Sequence, residues 1–306
     1  MGLTRKLATL WRAARESGHF WKRLAAEFLL QTGTTTLFSI HRPGYTLTYF
    51  PTSLSTALFL DPAARLDDEL LLAAYLRPGD VVVDVGSNIG THALAAAQQV
   101  GEQGVVVAIE PHPRIFTYLQ ENVRRNQLAN ITTLNLAIGD HDGEVAFSDR
   151  WEDDENAVLP QGQAPLRVPV RRLDTLAPAV PRPIALLKID VEGYELAVLR
   201  GACATLPRVA AVLWEACEEH CARYGYAAGE VYSLLEEHGF TSYWFKPRER
   251  VLVPLPTPRP RVGCCNLLAL RNLADFCGRT GYAVNHPPLP PEAVPSSASP
   301  TFSRRA

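Results

Sequence analysis

The segment that most constrains this chain is Val81–Gly90. Val81, Val82 and Val83 are apolar at consecutive positions, Val85 follows after Asp84, and Gly86 and Gly90 punctuate the residues that follow. A run without polar alternation suits a strand covered on both faces, which is the position of a parallel strand between two helical layers. An Ala-rich stretch, Thr91–Val100, comes next and reads as a helix. The rhythm then repeats. Val105–Ile109 reads as a strand, Arg114–Asn126 as a helix with Pro113 near its start, and Ile131–Leu136 as a third strand. Residues 143–170 interrupt with polar, extended sequence that reads as an inserted hairpin. Strand Ile184–Ile189, a helix over Gly193–Arg200, strand Val209–Trp214 and helix Ala228–Glu237 follow, and then two closing strands, Phe240–Phe245 and Cys265–Leu270.

Strands alternating with helices predict an α/β fold with a mostly parallel sheet and helices on both faces. The two closing strands have no helical pattern between them, so they are expected to pair antiparallel. Around this unit, assigned to residues 61–275, lie two flanks. Residues 1–60 read as an extension, helical to about residue 35 and then a hairpin over 36–60 that turns at Pro43-Gly44. Residues 276–306 read as a tail, Pro/Ser/Ala-rich and disordered from His286.

Composition excludes several classes. A formal net charge of -2 argues against a general nucleic-acid binder, and no apolar run is long enough to span a bilayer. The first 30 residues are basic and amphipathic, with Arg5, Lys6, Arg12, Arg15, Lys22 and Arg23 interleaved with Trp11, Phe20, Trp21 and Phe28. They lack the apolar centre of a signal peptide. Packing on the domain or on a partner is the expected role, and peripheral membrane contact is the alternative. The six cysteines all lie at or beyond Cys203 and are expected to be reduced thiols of a cytoplasmic protein. Cys217, His220 and Cys221 are spaced like metal ligands, but no second pair completes a set of four, so no metal is expected.

The chemistry gathers at strand ends, where ligands bind in open α/β sheets. Gly86 permits a tight turn and close approach of backbone to a ligand, and Gly90 permits close packing of strand and helix. Asp84 can hold a cationic or donor group. Asn88 stands where a dinucleotide loop needs its second glycine, so a cofactor with an amino-acid tail and no phosphates fits better. Glu110, about twenty residues on, is placed to accept hydrogen bonds from ribose hydroxyls. After the fourth strand, Lys188, Asp190, Glu192 and Glu195 crowd one turn, where charges are costly unless paired or used. Asp190 or Glu192 can serve as general base toward a hydroxyl. An ion pair such as Lys188 with Glu195 is the structural alternative.

Asp84–Gly90, Glu110-Pro111, Asn135-Leu136-Ala137-Ile138-Gly139-Asp140, the run Leu187–Glu195 and Leu199-Arg200-Gly201-Ala202 together resemble the FkbM-type methyltransferase family, over about residues 67–245. The resemblance implies a class I, Rossmann-like methyltransferase fold with a seven-stranded sheet containing one antiparallel strand, and S-adenosylmethionine as cofactor. It implies that Gly86, Asn88 and Gly90 line the methionine side, that Glu110 holds the ribose, and that Ala137 and Asp140 flank the adenine. It also implies that Lys188, Asp190 and Glu192 carry the family's signature, with an acidic residue, Glu215, ending the fifth strand. The expected reaction is O-methylation of a small-molecule, sugar or glycan hydroxyl, with no nucleic-acid partner. The alternatives are a nucleotide-dependent oxidoreductase, which would want a glycine at position 88, and a non-catalytic module, which would not need the charged signature intact.

Overall fold

A computed structural model of the protein describes residues 20–160, 164–179, 183–256 and 263–285. The basic start up to residue 19 and the Pro/Ser-rich tail from residue 286 lie outside the described residues. Helix α1 (Phe20–Thr32) leads into the antiparallel hairpin β1 (Ser39–Arg42) and β2 (Tyr45–Thr48). The hairpin is shorter than expected, because Ser53–Leu60 is a helix, α2. Its Thr, Ser and Phe residues suit a strand by composition. The deciding signal is Thr52, whose side chain caps the helix by accepting from the Ser55 N–H at 3.2 Å.

Helix α3 (Leu66–Tyr75) precedes the repeating unit: β3 (Val81–Val85), α4 (Thr91–Val100), β4 (Val105–Ile109), α5 (Pro113–Arg125) and β5 (Ile131–Leu134). Short strands β6 (Ala137–Ile138), β7 (Gly143–Phe147) and β8 (Leu166–Arg171) then form a separate three-stranded sheet, in which β7 and β8 are the inserted hairpin. The main sheet resumes with β9 (Ile184–Ile189), α6 (Glu195–Arg200), β10 (Val209–Ala216), α7 (Glu218–Ala222) and α8 (Ala228–Glu237). The last elements are β11 (Thr241–Lys246), β12 (Val251–Pro254), β13 (Cys265–Leu270), α9 (Leu273–Thr280) and β14 (Ala283–Val284).

The main sheet has nine strands in the order β14-β12-β11-β13-β10-β9-β3-β4-β5. The seven expected strands run from β11 to β5, with β13 antiparallel to both of its neighbours. The two additional strands, β12 and β14, extend the β11 edge. They are too short, at four and two residues, to carry a periodic signal. They also move the end of the folded unit past residue 275, since α9 straddles that position and β14 pairs with β12.

Alternation along β3 explains its continuous apolarity. Val82 joins a core on one face of the sheet, and Val81, Val83 and Val85 join the core on the other. Each fully buried Val contributes on the order of 1.5–3 kcal/mol, so burial on both faces fixes this strand firmly in the centre of the sheet. The first core also takes Ala26 and Leu29 from α1, Ile40 and Leu47 from the hairpin, and Leu54 and Leu58 from α2. Residues 20–60 are therefore packed into the main domain. A buried Arg42–Glu69 ion pair, with the Tyr45 hydroxyl donating to Glu69 at 2.7 Å, ties the hairpin to α3. Among the described residues no helix is long and apolar enough to cross a membrane.

Candidate active site

The loop between β3 and α4 alternates left-handed residues: Gly86 at φ 81°, Asn88 at 48° and Gly90 at 97°. A Cβ at Gly86 would lie 1.9 Å from the carbonyl oxygen of Asp190, so this turn seats directly on the backbone that leaves β9. Asparagine is one of the few side chains that tolerate the left-handed region, and Asn88 uses its backbone N–H and both side-chain groups. Its backbone N–H donates to Glu110 Oε2 at 2.9 Å, its Oδ1 accepts from Ile89 N–H at 2.7 Å, and its Nδ2 donates to the Asp153 carbonyl at 3.2 Å. From sequence, Asn88 argues against a phosphate loop, and the family resemblance places it on the methionine side of the cofactor. Its positive role, joining the glycine turn to β4 and to the insertion, depends on contacts 22 and 65 residues away.

Glu110 follows β4 and is buried. Besides the Asn88 bond, its Oε1 accepts from His112 N–H at 2.8 Å. Burial pushes its carboxyl up to about 7, against the lowering effect of those two N–H groups. His112 caps α5, accepting from Arg114 N–H at 3.2 Å, and its Nε2 lies 3.1 Å from Asp149. Asn135 donates to the carbonyls of Glu110 and Pro111 at 2.8 and 3.0 Å, which pins the β4 exit to the start of the Asn135–Asp140 motif.

Lys188, on β9, sits beside Asp84 because the two are direct neighbours in the parallel register. Its ammonium is 3.2 Å from Asp84 Oδ1, 3.5 Å from Asp190 Oδ2, and donates to the Gly86 carbonyl at 2.9 Å. Burial works to lower its pKa, but the Asp84 and Asp190 charges outweigh burial and raise it, so it stays protonated. The expected partner of Lys188, Glu195, instead accepts from the N–H groups of Val191 and Gly193 at 3.2 and 3.1 Å. Asp84 is 1% exposed, whereas the Asp190 side chain is 30% exposed. Burial works to raise the Asp190 carboxyl, but Lys188, His92 and Arg65 hold it below the ordinary range.

The turn after β9 places Glu192, itself left-handed at φ 56°, beside residues that end β10. His220 Nδ1 lies 3.0 Å from Glu192 Oε2 and 3.3 Å from Glu215 Oε2. A Cβ at Gly193 would lie 2.4 Å from the His220 carbonyl oxygen, so a glycine there lets α7 approach this turn. Behind His220, Cys217 and Cys264 form a disulfide, which corrects the expectation of six reduced thiols. The pairing follows from the β10–β13 register, which sets Ala216 opposite Cys265 and so brings the next residue on each side together. Cys221, grouped with Cys217 and His220 by spacing, instead faces the second core.

The structure thus gathers Asp84, Gly86, Asn88, Gly90, Glu110, Lys188, Asp190, Glu192 and Glu215 at neighbouring strand ends. It does not gather the expected adenine contacts in the same way. Ala137 is buried in the small three-stranded sheet, and Asp140 is at the surface, 2.7 Å from His141. Sequence reasoning missed Asp153 and Arg65. Asp153, in the insertion, accepts from Ser53 Oγ at 2.7 Å and Leu54 N–H at 2.9 Å. Arg65 Nη2 binds Asp154 at 2.8 Å. Both bring the insertion against residues 53–65, and neither has a sequence motif that would announce it.

This strand order with β13 reversed, together with a glycine turn after β3 and an acidic residue just after the next strand, is the arrangement of the class I, Rossmann-like methyltransferase fold. The chain belongs to the FkbM methyltransferase family: the Methyltransferase FkbM domain matches residues 84–242. It is 34% identical over 200 residues to the 31-O-demethyl-FK506 methyltransferase FkbM of Streptomyces tacrolimicus, covering 54% of this chain and 74% of that one. It is 32% identical over 147 residues to the hexuronic acid methyltransferase AglP of Haloferax volcanii, covering 47% of this chain and 59% of that relative, less than two thirds of its length. Among solved structures, the methyltransferase FkbM from Methylobacillus flagellatus covers 82% of this chain and 59% of its own, at 16% identity and a TM-score of 0.41. Family membership sets aside the oxidoreductase alternative.

Proposed function

We propose that the protein methylates a hydroxyl of a sugar, glycan or natural product, with Asp190 receiving the hydroxyl proton. The observation that carries this reading is the contrast at the β9 end. Asp84 and Lys188 are covered, while Asp190 is partly open and held ionised beside the glycine turn. The relatives named as a 31-O-demethyl-FK506 methyltransferase and a hexuronic acid methyltransferase support a hydroxyl-bearing acceptor.

The residues present fit S-adenosylmethionine. Asp84 Oδ2 is buried without a hydrogen-bond donor, which suits a cationic or donor group of a ligand. Each Glu110 oxygen accepts one backbone N–H and keeps a lone pair for a ribose hydroxyl. Gly86, Asn88 and Gly90 would line the methionine side. When bound, the cofactor supplies a methyl group already activated on a sulfonium, so the chain's tasks are alignment, exclusion of water and removal of the hydroxyl proton. Titration calorimetry with S-adenosylmethionine and with NAD, followed by a screen of hydroxylated acceptors, tests the reading. Failure to bind S-adenosylmethionine would defeat it.

Two results are expected at Glu110. Glu110→Ala weakens S-adenosylmethionine binding by roughly 1–3 kcal/mol, the cost of leaving donors without an acceptor. An unchanged affinity in calorimetry of the folded variant removes Glu110 from the site. Hydroxyl donors also prefer the ionised carboxylate. A carboxyl raised to about 7 in the free protein is partly protonated at neutral pH, so binding releases a proton and strengthens as pH rises through about 7. Calorimetry in buffers of different ionisation enthalpy reads that proton. In Glu110→Gln this component of the pH dependence vanishes, and its persistence there would assign it to another group.

A further inference from the structure

We propose that Glu192, Glu215 and His220 form a binding site for one divalent first-row cation, of the Mn2+ or Zn2+ class, beside Asp190. Three elements deliver the ligands: the turn after β9, the end of β10 and helix α7. Their donor atoms lie within 4.8 Å of one another, with His220 Nδ1 at 3.0 Å from Glu192 Oε2 and 3.3 Å from Glu215 Oε2. Oxygen and imidazole ligands at about 2.0–2.2 Å from a common ion stand roughly 3.0–3.5 Å from each other, as edges of its coordination shell.

The orientation of these groups carries the inference. His220 Nδ1 and Glu215 Oε2 are buried atoms, and Nδ1 stands at ion-pair distance from both carboxylates without pointing squarely at either. At separations this short, groups built to bond one another would point at one another. Groups built to bond a third body converge on a common point instead. Charge argues in the same direction. Glu192 and Glu215 share this corner with Asp190, and Asp153 and Asp154 lie on the adjoining insertion. Arg65 faces Asp190 and Glu192 and is already engaged by Asp154, Lys188 and His92 act on Asp190, and His220 is the basic group between Glu192 and Glu215. A divalent ion offsets the remaining repulsion among carboxylates that burial makes costly.

One imidazole and two carboxylates are a mixed nitrogen and oxygen set, suited to Mn2+ or Zn2+ and leaving positions open for water or an acceptor oxygen. Through an open position the ion would lower the pKa of an acceptor hydroxyl. The O–H bond breaks, its electron pair stays on oxygen, and the proton passes to the Asp190 carboxylate. That role rests on the proposed O-methylation, whereas the binding site does not, so the test uses metal alone.

Metal-stripped protein, residues 1–306, is titrated with Mn2+, and the free ion is counted by electron paramagnetic resonance. One Mn2+ per chain is expected, with affinity at least about a hundredfold weaker in Glu192→Gln and in Glu215→Gln, each checked for folding by circular dichroism. Co2+ added to wild type gives a second readout that needs no variant, a visible spectrum of nitrogen and oxygen ligation. Three results overturn the proposal. One is no stoichiometric binding of Mn2+ at millimolar concentration. Another is undiminished binding in both folded Gln variants. The third is an intense thiolate-to-cobalt charge-transfer band that disappears in Cys217→Ser/Cys264→Ser, which would place the ion on the sulfurs behind His220.

Discussion

Replacing Lys188 with methionine is expected to destabilise the protein by about 3–5 kcal/mol, the usual consequence of removing one partner from a buried ion pair. The size follows from what is left behind. Asp84 is 1% exposed, and Lys188 is the cation beside it, 3.2 Å from Oδ1. The Gly86 carbonyl also loses its donor, so the glycine turn loosens where it seats on Asp190. Urea unfolding measures the loss, and adding Asp84→Asn to the Lys188→Met background supplies the internal check. The neutral amide removes the uncompensated charge, so the double variant recovers a large part of the deficit. If Lys188→Met alone costs less than about 1 kcal/mol, water or a rearranged carboxylate already compensates Asp84, and the pair does not hold the site together.

Asp190→Asn is expected to leave the fold and most cofactor affinity in place while lowering turnover about a hundredfold or more, the contribution of a positioned base. The fold survives because Lys188 keeps Asp84 and the Gly86 carbonyl. The asparagine can still donate and accept hydrogen bonds but cannot take a proton. With any acceptor that wild type methylates, kcat and the unfolding midpoint are measured together. A lowered midpoint with near-normal turnover per folded molecule would make Asp190 a brace for the turn and not a base.

Much of the scaffold was legible because it is local. The four valines of β3, the Ala-rich α4 and the apolar run of β9 announce a doubly covered parallel sheet through side-chain periodicity, which is written in consecutive residues. The left-handed turn at Gly86 and Gly90 is legible for the same reason. Helix α2 was misread because its decisive signal is one capping hydroxyl, Thr52, within residues of mixed propensity. Strands β12 and β14 were missed because strands of four and two residues are made by pairing with an existing edge and not by their own pattern.

By itself the sequence determined the sheet's central strands, the glycine turn after β3 and the family, since each is set by residue type within a few positions of chain. Tertiary structure alone decided who faces whom. It paired Lys188 with Asp84 and not with Glu195, because β3 and β9 lie side by side in register. It brought Cys264 to Cys217 through the antiparallel β10–β13 ladder, and His220 to Glu192 and Glu215 through the packing of α7 on Gly193. Interactions between charged groups depend on distances of a few ångströms, and for pairs as far apart in the chain as Glu192 with His220 or Asp84 with Lys188 those distances are fixed by strand register and helix packing, not by spacing in sequence.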